Sequence, residues 1–356
     1  MKLLHILVGG TMGGIEQLCF DIANYDHINN SFLVLKSYKP LLNKIAPIGS
    51  NIKVFFGEEN LSVFKIKKVS DYICGLYSNG FVDAVVIHHP CIFTFNLAIA
   101  IKKIIPKLSV NIYIHADIDD VLMKNSKKYY IHRYLFGKCS KSANNIIVIS
   151  EFVKKSVLNY YPSVTNKMTV NYNGIDLSHF IVNKDKKNEQ MRLLYVGRII
   201  KEKGIQNTIR LLVKCKNLNF HFDIVGEGQY MNELKNLVKT LQLDEYISFL
   251  GRKENVYQFI NNYDVFIHLP EWDEGFGITI IEALASGLIC IVNEKGALPE
   301  IIRNGYNGII LNNNDLSNVL KDVYEGRYDR LRLNAVESAS LFSIKKTYDN
   351  LVRIIR

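Results

Sequence analysis

Short, uninterrupted apolar runs recur along the chain. In the first half they are "LLHILV" (3–8), "SFLVLK" (31–36), "IKVFF" (52–56), "DAVVIH" (83–88), "VNIYIH" (110–115) and "NIIVIS" (145–150). Between them, apolar residues return at helical spacing. In "GGIEQLCFDIANY", for example, Ile15, Leu18, Cys19 and Ile22 fall on one face. Continuous apolar strands alternating with helices predict a parallel sheet covered on both faces. The rhythm breaks between about Asn173 and Gln190, where "NKDKKNEQ" has no apolar period. It then resumes with "RLLYVG" (192–197), "FHFDIVG" (220–226), "ISFLG" (247–251), "DVFIHL" (264–269) and "LICIVN" (288–293). Helices are expected from Gly204, from Gln229, near 254–262, through "ITIIEALA" and in "LPEIIRNG", with a helical tail. The expected class is α/β with two doubly wound, Rossmann-like parallel-sheet domains: 1–173, a linker at 174–190, 191–338, and a helix in 339–356.

The length of 356 residues fits two domains, and 48% hydrophobic with 22% charged residues is enough to build cores. The six cysteines are scattered with no Cys-x-x-Cys pair, which predicts buried thiols in a reducing compartment rather than a zinc site or a disulfide framework. "MKLLHILVGG" is too short an apolar run for a signal peptide, and "VVIHHPCIFTFNLAIAI" is broken by His88, His89, Pro90 and Asn96. The expected location is cytoplasmic, either free or peripheral on the inner face of a membrane. Net charge is +10, and it is uneven. Between Val121 and Asn145 stand Lys124, Lys127, Lys128, Arg133, Lys138 and Lys141 with no acid, interleaved with Tyr129, Tyr130, Ile131, Tyr134, Leu135 and Phe136. This stretch suits an anionic membrane surface, and it equally suits a solvated helix. No nucleic-acid motif accompanies it.

In open parallel sheets, ligands bind at loops leaving the carboxyl ends of strands. Five such loops stand out. The first, "VGGTMGGIE", carries Gly9, Gly10, Gly13 and Gly14 and can bring backbone N–H groups to a phosphate; it also suits a tight turn. Its spacing is not G-x-G-x-x-G and no acid ends the second strand, so a dinucleotide oxidoreductase is not expected. The second, "YVGRIIKEKG", places Arg198 and Lys203 after a strand, a fork and a point charge suited to a diphosphate. Gly226 and Gly251 end two further strands and permit close approach to a nucleotide. In the fifth, "EWDEGFGITIIEALASG", a Gly-rich loop opens a helix. The amides at Gly277, Ile278 and Thr279 suit a phosphate, Glu274 would face the sugar, and Glu282 would accept from vicinal hydroxyls. Otherwise Glu282 is the polar edge of an amphipathic helix, and Glu274 an acid near an N-cap.

The Gly-rich first loop, "GR…K-G", "VGEG", "EGFG" within E-x7-E, and "GALPEIIRNGYNGIIL" together resemble retaining glycosyltransferases of family 4. The resemblance implies the GT-B architecture, two Rossmann-like domains facing a deep cleft, with the last helix returning to the first domain. It implies that Glu274 contacts the donor sugar and Glu282 the ribose. It assigns Arg198 and Lys203 to the diphosphate, with Gly14 and its neighbour Gly13 nearby. It assigns His115, in "IYIHAD", to placing donor sugar and acceptor. Ser150 ends a matching strand. His88 and His89 also end a strand, where a structural role is the simpler expectation.

The implied reaction moves a hexosyl or N-acetylhexosaminyl group from a nucleotide sugar, UDP-linked by family frequency, to a glycan acceptor. The basic, aromatic stretch suggests that this acceptor is lipid-linked, on a polyprenyl diphosphate, as in O-antigen or capsule assembly; a soluble acceptor is the alternative. A nucleotide-sugar epimerase of the same fold, or a non-catalytic membrane-associated subunit, would share these features. Asp117-x-Asp119 resembles the metal-binding pair of the other major glycosyltransferase fold. With cations and a helix end already available to a diphosphate, these acids are expected to serve the loop and helix cap. No metal or other cofactor is expected.

Overall fold

The computed structural model describes residues 1–9, 13–36, 43, 51–56, 61–182, 190–312 and 315–356. Gly10 and most of the charged segment expected as a linker (183–189) lie outside them. The chain forms two compact units: Met1–Gly174 with Ile344–Arg356, and Ile175–Ser343. Of the described residues in the expected linker, Gly174 ends the first unit, while Ile175 to Val182 and Gln190 group with the second; the last helix groups with the first.

The first unit is built on a seven-stranded parallel sheet. Its strands are β1 (Leu3–Leu7), β2 (Asn30–Lys36), β3 (Asn51–Phe56), β4 (Ala84–Ile87), β5 (Ser109–Ile114), β6 (Asn145–Val148) and β7 (Met168–Val170). The spatial order is β3-β2-β1-β4-β5-β6-β7. The connecting helices used below are α1 (Gly14–Tyr25), α2 (Ile66–Ser78), α3 (Ile92–Ile104), the single turn α4 (Ile118–Val121), α5 (Tyr129–Ser142) and α6 (Glu151–Tyr160). β1 and β4 are buried at every position, as a sheet covered on both faces requires.

The second unit holds a six-stranded parallel sheet ordered β10-β9-β8-β11-β12-β13. Its strands are β8 (Met191–Val196), β9 (Phe220–Val225), β10 (Ile247–Gly251), β11 (Val265–His268), β12 (Ile289–Val292) and β13 (Gly308–Ile310). Its helices are α7 (Ile205–Leu212), α8 (Met231–Thr240), α9 (Ile278–Ala285), α10 (Leu298–Ile301), α11 (Leu316–Tyr324) and α12 (Asp329–Ala339). The last helix, α13 (Ile344–Ile355), packs against α1 in the first unit.

Both sheets reverse their strand order once, between β1 and β4 and between β8 and β11. A crevice opens at such a point outside the carboxyl ends of the two strands. The loops after β1, β4, β8 and β11 carry Gly13, His88, Arg198 and Glu274, respectively.

Two expectations are corrected. The helix expected near 254–262 is instead two 3-10 turns, Val256–Gln258 and Ile260–Asn262. Asn255 enters the first in a left-handed conformation (φ 55), and Phe259 at φ −131 breaks continuity between them. β7 and β13 were not anticipated. Each is a three-residue edge strand paired on one side only, so neither needs a continuous apolar run.

Candidate functional site

In the second unit, the loops after β8 and β11 converge on one carboxylate. Lys203 Nζ lies 2.6 Å from Glu274 Oε2, and His268 Nε2 lies 3.1 Å from the same oxygen. The backbone N–H groups of Glu271 and Trp272 both donate to the Glu202 carbonyl, at 2.9 and 3.4 Å, tying one loop to the other. The Lys203 ammonium also lies 5.2 Å from the centre of the Trp272 ring, a cation–π contact. On the far side of Glu274, its carbonyl accepts from Ala297 N–H at 2.8 Å, and the Asp273 carboxylate accepts from Gly296 N–H at 3.0 Å. Gly296 has φ +56, and a side chain there would strike the Glu274 backbone. Only glycine accepts both conditions without strain.

The electrostatics of this cluster are lopsided. Burial alone would push the Glu274 carboxyl up. The hydrogen bond from His268 and the charge of Lys203 more than offset this, holding it well below the usual carboxylate range. Burial holds the His268 ring below its ordinary value despite the pull of Glu274. A carboxylate can only accept, so neutral His268 donates from Nε2. Its Nδ1 is then a bare lone pair, buried and without a hydrogen-bond partner. Tyr195 stacks on His268 with ring centres 5.9 Å apart, and its hydroxyl donates to the Arg198 carbonyl at 3.2 Å. The Arg198 side chain itself is exposed.

Gly277 caps α9 with φ 130, and the first intrahelical bond runs from Ile280 N–H to the Gly277 carbonyl at 3.0 Å. The N–H groups of Gly277, Ile278 and Thr279 therefore have no partner within the helix. Glu282 follows one turn later and is half-buried, while Ile280, Ile281, Ala283 and Leu284 around it are fully buried. Gly226 N–H donates to the Gly251 carbonyl at 2.8 Å, and Gly197 N–H to the Val225 carbonyl at 3.0 Å. The glycines ending β8, β9 and β10 are thus adjacent.

In the first unit, Gly13 and Gly14 are exposed at the start of α1. Gly13 has φ −146, ordinary extended backbone, so no left-handed turn requires it. Its N–H donates to the Glu16 carboxylate at 3.0 Å. The other Glu16 oxygen lies 3.2 Å from His89 Nε2. The chain's own buried acid therefore occupies the Gly13 amide, beside the Gly14 expected near a phosphate. Ser150 is the N-cap of α6, accepting from Val153 N–H at 3.1 Å. His115 follows β5, its Nε2 3.1 Å from His88 Nδ1 and its ring centre 4.3 Å from that of Tyr113. Burial brings His115 down to about 3.

Asp117 caps α4, accepting from Asp119 N–H at 3.1 Å and from the Ser156 hydroxyl. Asp119 is engaged by Tyr160 Oη at 2.6 Å and Lys124 Nζ at 2.8 Å. Among the described residues no group of three His, Cys, Asp or Glu side chains is arranged to hold a metal. Among the same residues no helix is long and apolar enough to cross a membrane. Lys124, Lys127, Lys128, Arg133 and Lys138 are all exposed, beside Tyr130 (77%), Ile131 (54%) and Tyr134 (62%).

Residues 178–339 match the model of glycosyl transferases group 1. An uncharacterized glycosyltransferase of Methanocaldococcus jannaschii is 28% identical over 67% of this chain and 64% of its own length. The O-antigen chain mannosyltransferase RfbU of Salmonella typhimurium is 30% identical over 49% of this chain and 48% of its own. Both matches cover less than two thirds of the relative. The Anabaena protein HepE, solved in complex with UDP and glucose, is similar over 99% of this chain and 98% of its own, with TM-score 0.81 at 16% identity. The chain has the GT-B glycosyltransferase fold.

Within this GT-B chain, sequence reasoning had selected Glu274 and Lys203, which the fold brings into direct contact, but not the partners that position them. His268 was missed because it reads as the last residue of an apolar strand. Its place at the carboxyl end of β11, beside the reversal of strand order, was the available signal. Trp272, Gly296 and Glu16 were missed because their roles depend on loops distant in sequence.

Proposed function

We propose that the protein is a family 4 retaining glycosyltransferase. It moves a hexosyl or N-acetylhexosaminyl group from a nucleotide sugar, preferably UDP-linked, to a hydroxyl of a glycan acceptor. The observation that carries this is the Lys203–Glu274–His268 cluster, set at the reversal of strand order in the matched region. Further support comes from the O-antigen enzyme among its relatives and from the UDP and glucose bound by the Anabaena protein.

In this assignment Lys203, Arg198 and the amides of Gly277, Ile278 and Thr279 receive the charge that grows on the departing diphosphate. Glu274 stays ionised and accepts from donor-sugar hydroxyls. Glu282 accepts from the ribose, and Gly226 and Gly251 let the nucleoside lie against the backbone. The bond from the anomeric carbon to the diphosphate oxygen breaks. The acceptor oxygen attacks from the same face, and its proton passes to the leaving phosphate oxygen. Positive charge for the diphosphate comes from side chains and amides, so no divalent metal takes part.

The acceptor is assigned to a polyprenyl-diphosphate-linked glycan at an anionic membrane surface. The exposed row of cations and aromatics on and before α5 supports this. The test is thermal unfolding with UDP-, GDP- and ADP-sugars, followed by anomeric analysis of the product. A UDP-sugar is expected to raise Tm, and the product to keep the donor's anomeric configuration in the presence of EDTA. Inversion, or an absolute need for Mn²⁺, would overturn the mechanism. Protection by no nucleotide sugar would overturn the function.

A further inference from the structure

Three histidines from adjacent strands of the first sheet form one chain, buried at His5 and His88 and half-buried at His115. His5 lies on β1, His88 directly after β4 and His115 directly after β5. His5 Nδ1 is 2.8 Å from His88 Nε2, and His88 Nδ1 is 3.1 Å from His115 Nε2. The rings stack in succession with centres 5.1 and 5.3 Å apart. At the inner end, His5 Nε2 is 2.8 Å from Asn30 Oδ1. At the outer end, His115 Nδ1 is buried and has no hydrogen-bond partner.

Such a chain can run in two proton directions, and Asn30 decides between them. Its Nδ2 is 2.7 Å from the Asp26 carbonyl and 3.1 Å from the Tyr348 hydroxyl. A backbone carbonyl only accepts, so the amide nitrogen must face it. Flipping Asn30 would set two acceptors against each other at 2.7 Å. The Asn30 oxygen therefore faces His5, and His5 carries its proton on Nε2. The Tyr348 hydroxyl, accepting from Asn30, donates in turn to Asp26 Oδ2 at 2.9 Å.

His5 and His88 are fully buried, His115 is half-buried with its Nδ1 covered, and all three rings are held neutral. Burial holds His5 at about 4 and His115 at about 3, and keeps His88 well below its usual value. A neutral imidazole with a proton on Nε2 has a bare Nδ1. Applied ring by ring, His5 Nδ1 accepts from His88, His88 Nδ1 accepts from His115, and His115 is left with a bare Nδ1. The outer end gives the same answer independently. The opposite direction would leave a buried N–H unsatisfied there, a worse orphan than a lone pair. The neighbouring titratable groups do not compete. His89 accepts at Nδ1 from Val8 N–H (3.4 Å) and turns Nε2 to Glu16, while Tyr113 donates to the Asn171 carbonyl at 2.9 Å.

We propose that Asn30, acting through His5 and His88, fixes His115 in its neutral Nε2–H form, so that Nδ1 presents a lone pair to a hydroxyl of the substrate. Asn30, His5 and His88 are positioning residues. A lone pair there favours a hydroxyl donor and repels a phosphate oxygen. That the hydroxyl belongs to a sugar or glycan rests on the function proposed above; the tautomer does not. The last helix takes part through Tyr348, which bears on the amide that sets the direction.

Selective ¹⁵N labelling of histidine in the full chain tests this directly. Two-bond ¹⁵N–¹H correlations at neutral pH are expected to show His115, His88 and His5 as neutral Nε2–H tautomers. Asn30→Leu is expected to mix the tautomers at all three rings and to lower kcat/KM about tenfold, the worth of one hydrogen bond. A wild-type His115 protonated on Nδ1, or doubly protonated, would overturn the proposal without any variant. So would an unchanged His115 tautomer in folded Asn30→Leu. Correct tautomers in a protein that transfers no sugar would leave this relay standing and remove the function proposed above instead.

Discussion

Lys203 and Glu274 neutralise each other across 2.6 Å, with only 13% and 16% of their side chains exposed. Truncating one leaves the other as a largely buried, unpaired charge, which costs about 3–5 kcal/mol in comparable pairs. Lys203→Met and Glu274→Gln are each expected to lower the urea midpoint and to reduce transfer by at least about tenfold. The double variant removes both charges together. It should recover most of the midpoint while activity stays low. Activity restored along with stability would mean that the pair is structural only.

Gly296 and Gly305 separate strain from positioning. Both have positive φ, +56 and +73, so alanine at either strains the backbone by about 1 kcal/mol. Only at Gly296 would the added carbon strike the Glu274 backbone; at Gly305 it meets open space. Gly296→Ala is therefore expected to lower kcat well beyond its effect on Tm, and Gly305→Ala to lower Tm alone. Equal kinetics in the two variants would break the link between the Gly296 turn and the Glu274 side chain.

The alternation of apolar runs and helical periods was enough to read the parallel sheets, because strands buried on both faces leave no polar positions to confuse the pattern. β1 and β4 are the clearest cases. β7 and β13 were opaque because an edge strand of three residues has no pattern to show. At the candidate site, Lys203 and Glu274 were legible because each follows a strand end. Their mutual contact was not, since it depends on the Glu202 carbonyl drawing in a loop about 70 residues away. His5 and His88 read as strand residues. Their chemistry emerges only from the order β1-β4-β5, which no local window contains.

Acid should weaken this protein earlier than carboxylates alone would. His5 titrates at about 4 in the folded chain and His115 at about 3, against 6.5 when unfolded. His88 is lowered in the same direction. Between the folded and unfolded values the unfolded state binds more protons, so stability rises with pH and is lost as pH falls below about 6.5. The limiting slope is about 1.4 kcal/mol per pH unit for each histidine. Glu274 adds a further loss only below about 4.5, its own unfolded value, because its folded value is depressed. Urea unfolding between pH 7 and 5 should therefore already show a slope, and His88→Phe should reduce it by roughly a third. A stability flat to pH 5 would mean that the three rings are not held neutral.

The exposed cations before and along α5 lead to a prediction at the membrane. Each Lys or Arg at an anionic surface contributes about 1 kcal/mol, so replacing Lys127, Lys128 and Lys138 by alanine should weaken binding by about a hundredfold. Lys124 is left in place because it already pairs with Asp119 at 2.8 Å. Flotation with vesicles containing anionic lipid should show the full protein bound and the triple variant released. Neutral vesicles should bind neither, since the exposed Tyr130, Ile131 and Tyr134 offer too small an apolar patch to hold the protein without charge. Added salt should release the wild type as well, because exposed charges are screened within about 10 Å at 0.1 M. Retention of the triple variant on anionic vesicles would place the contact elsewhere and leave this stretch as a solvated helix.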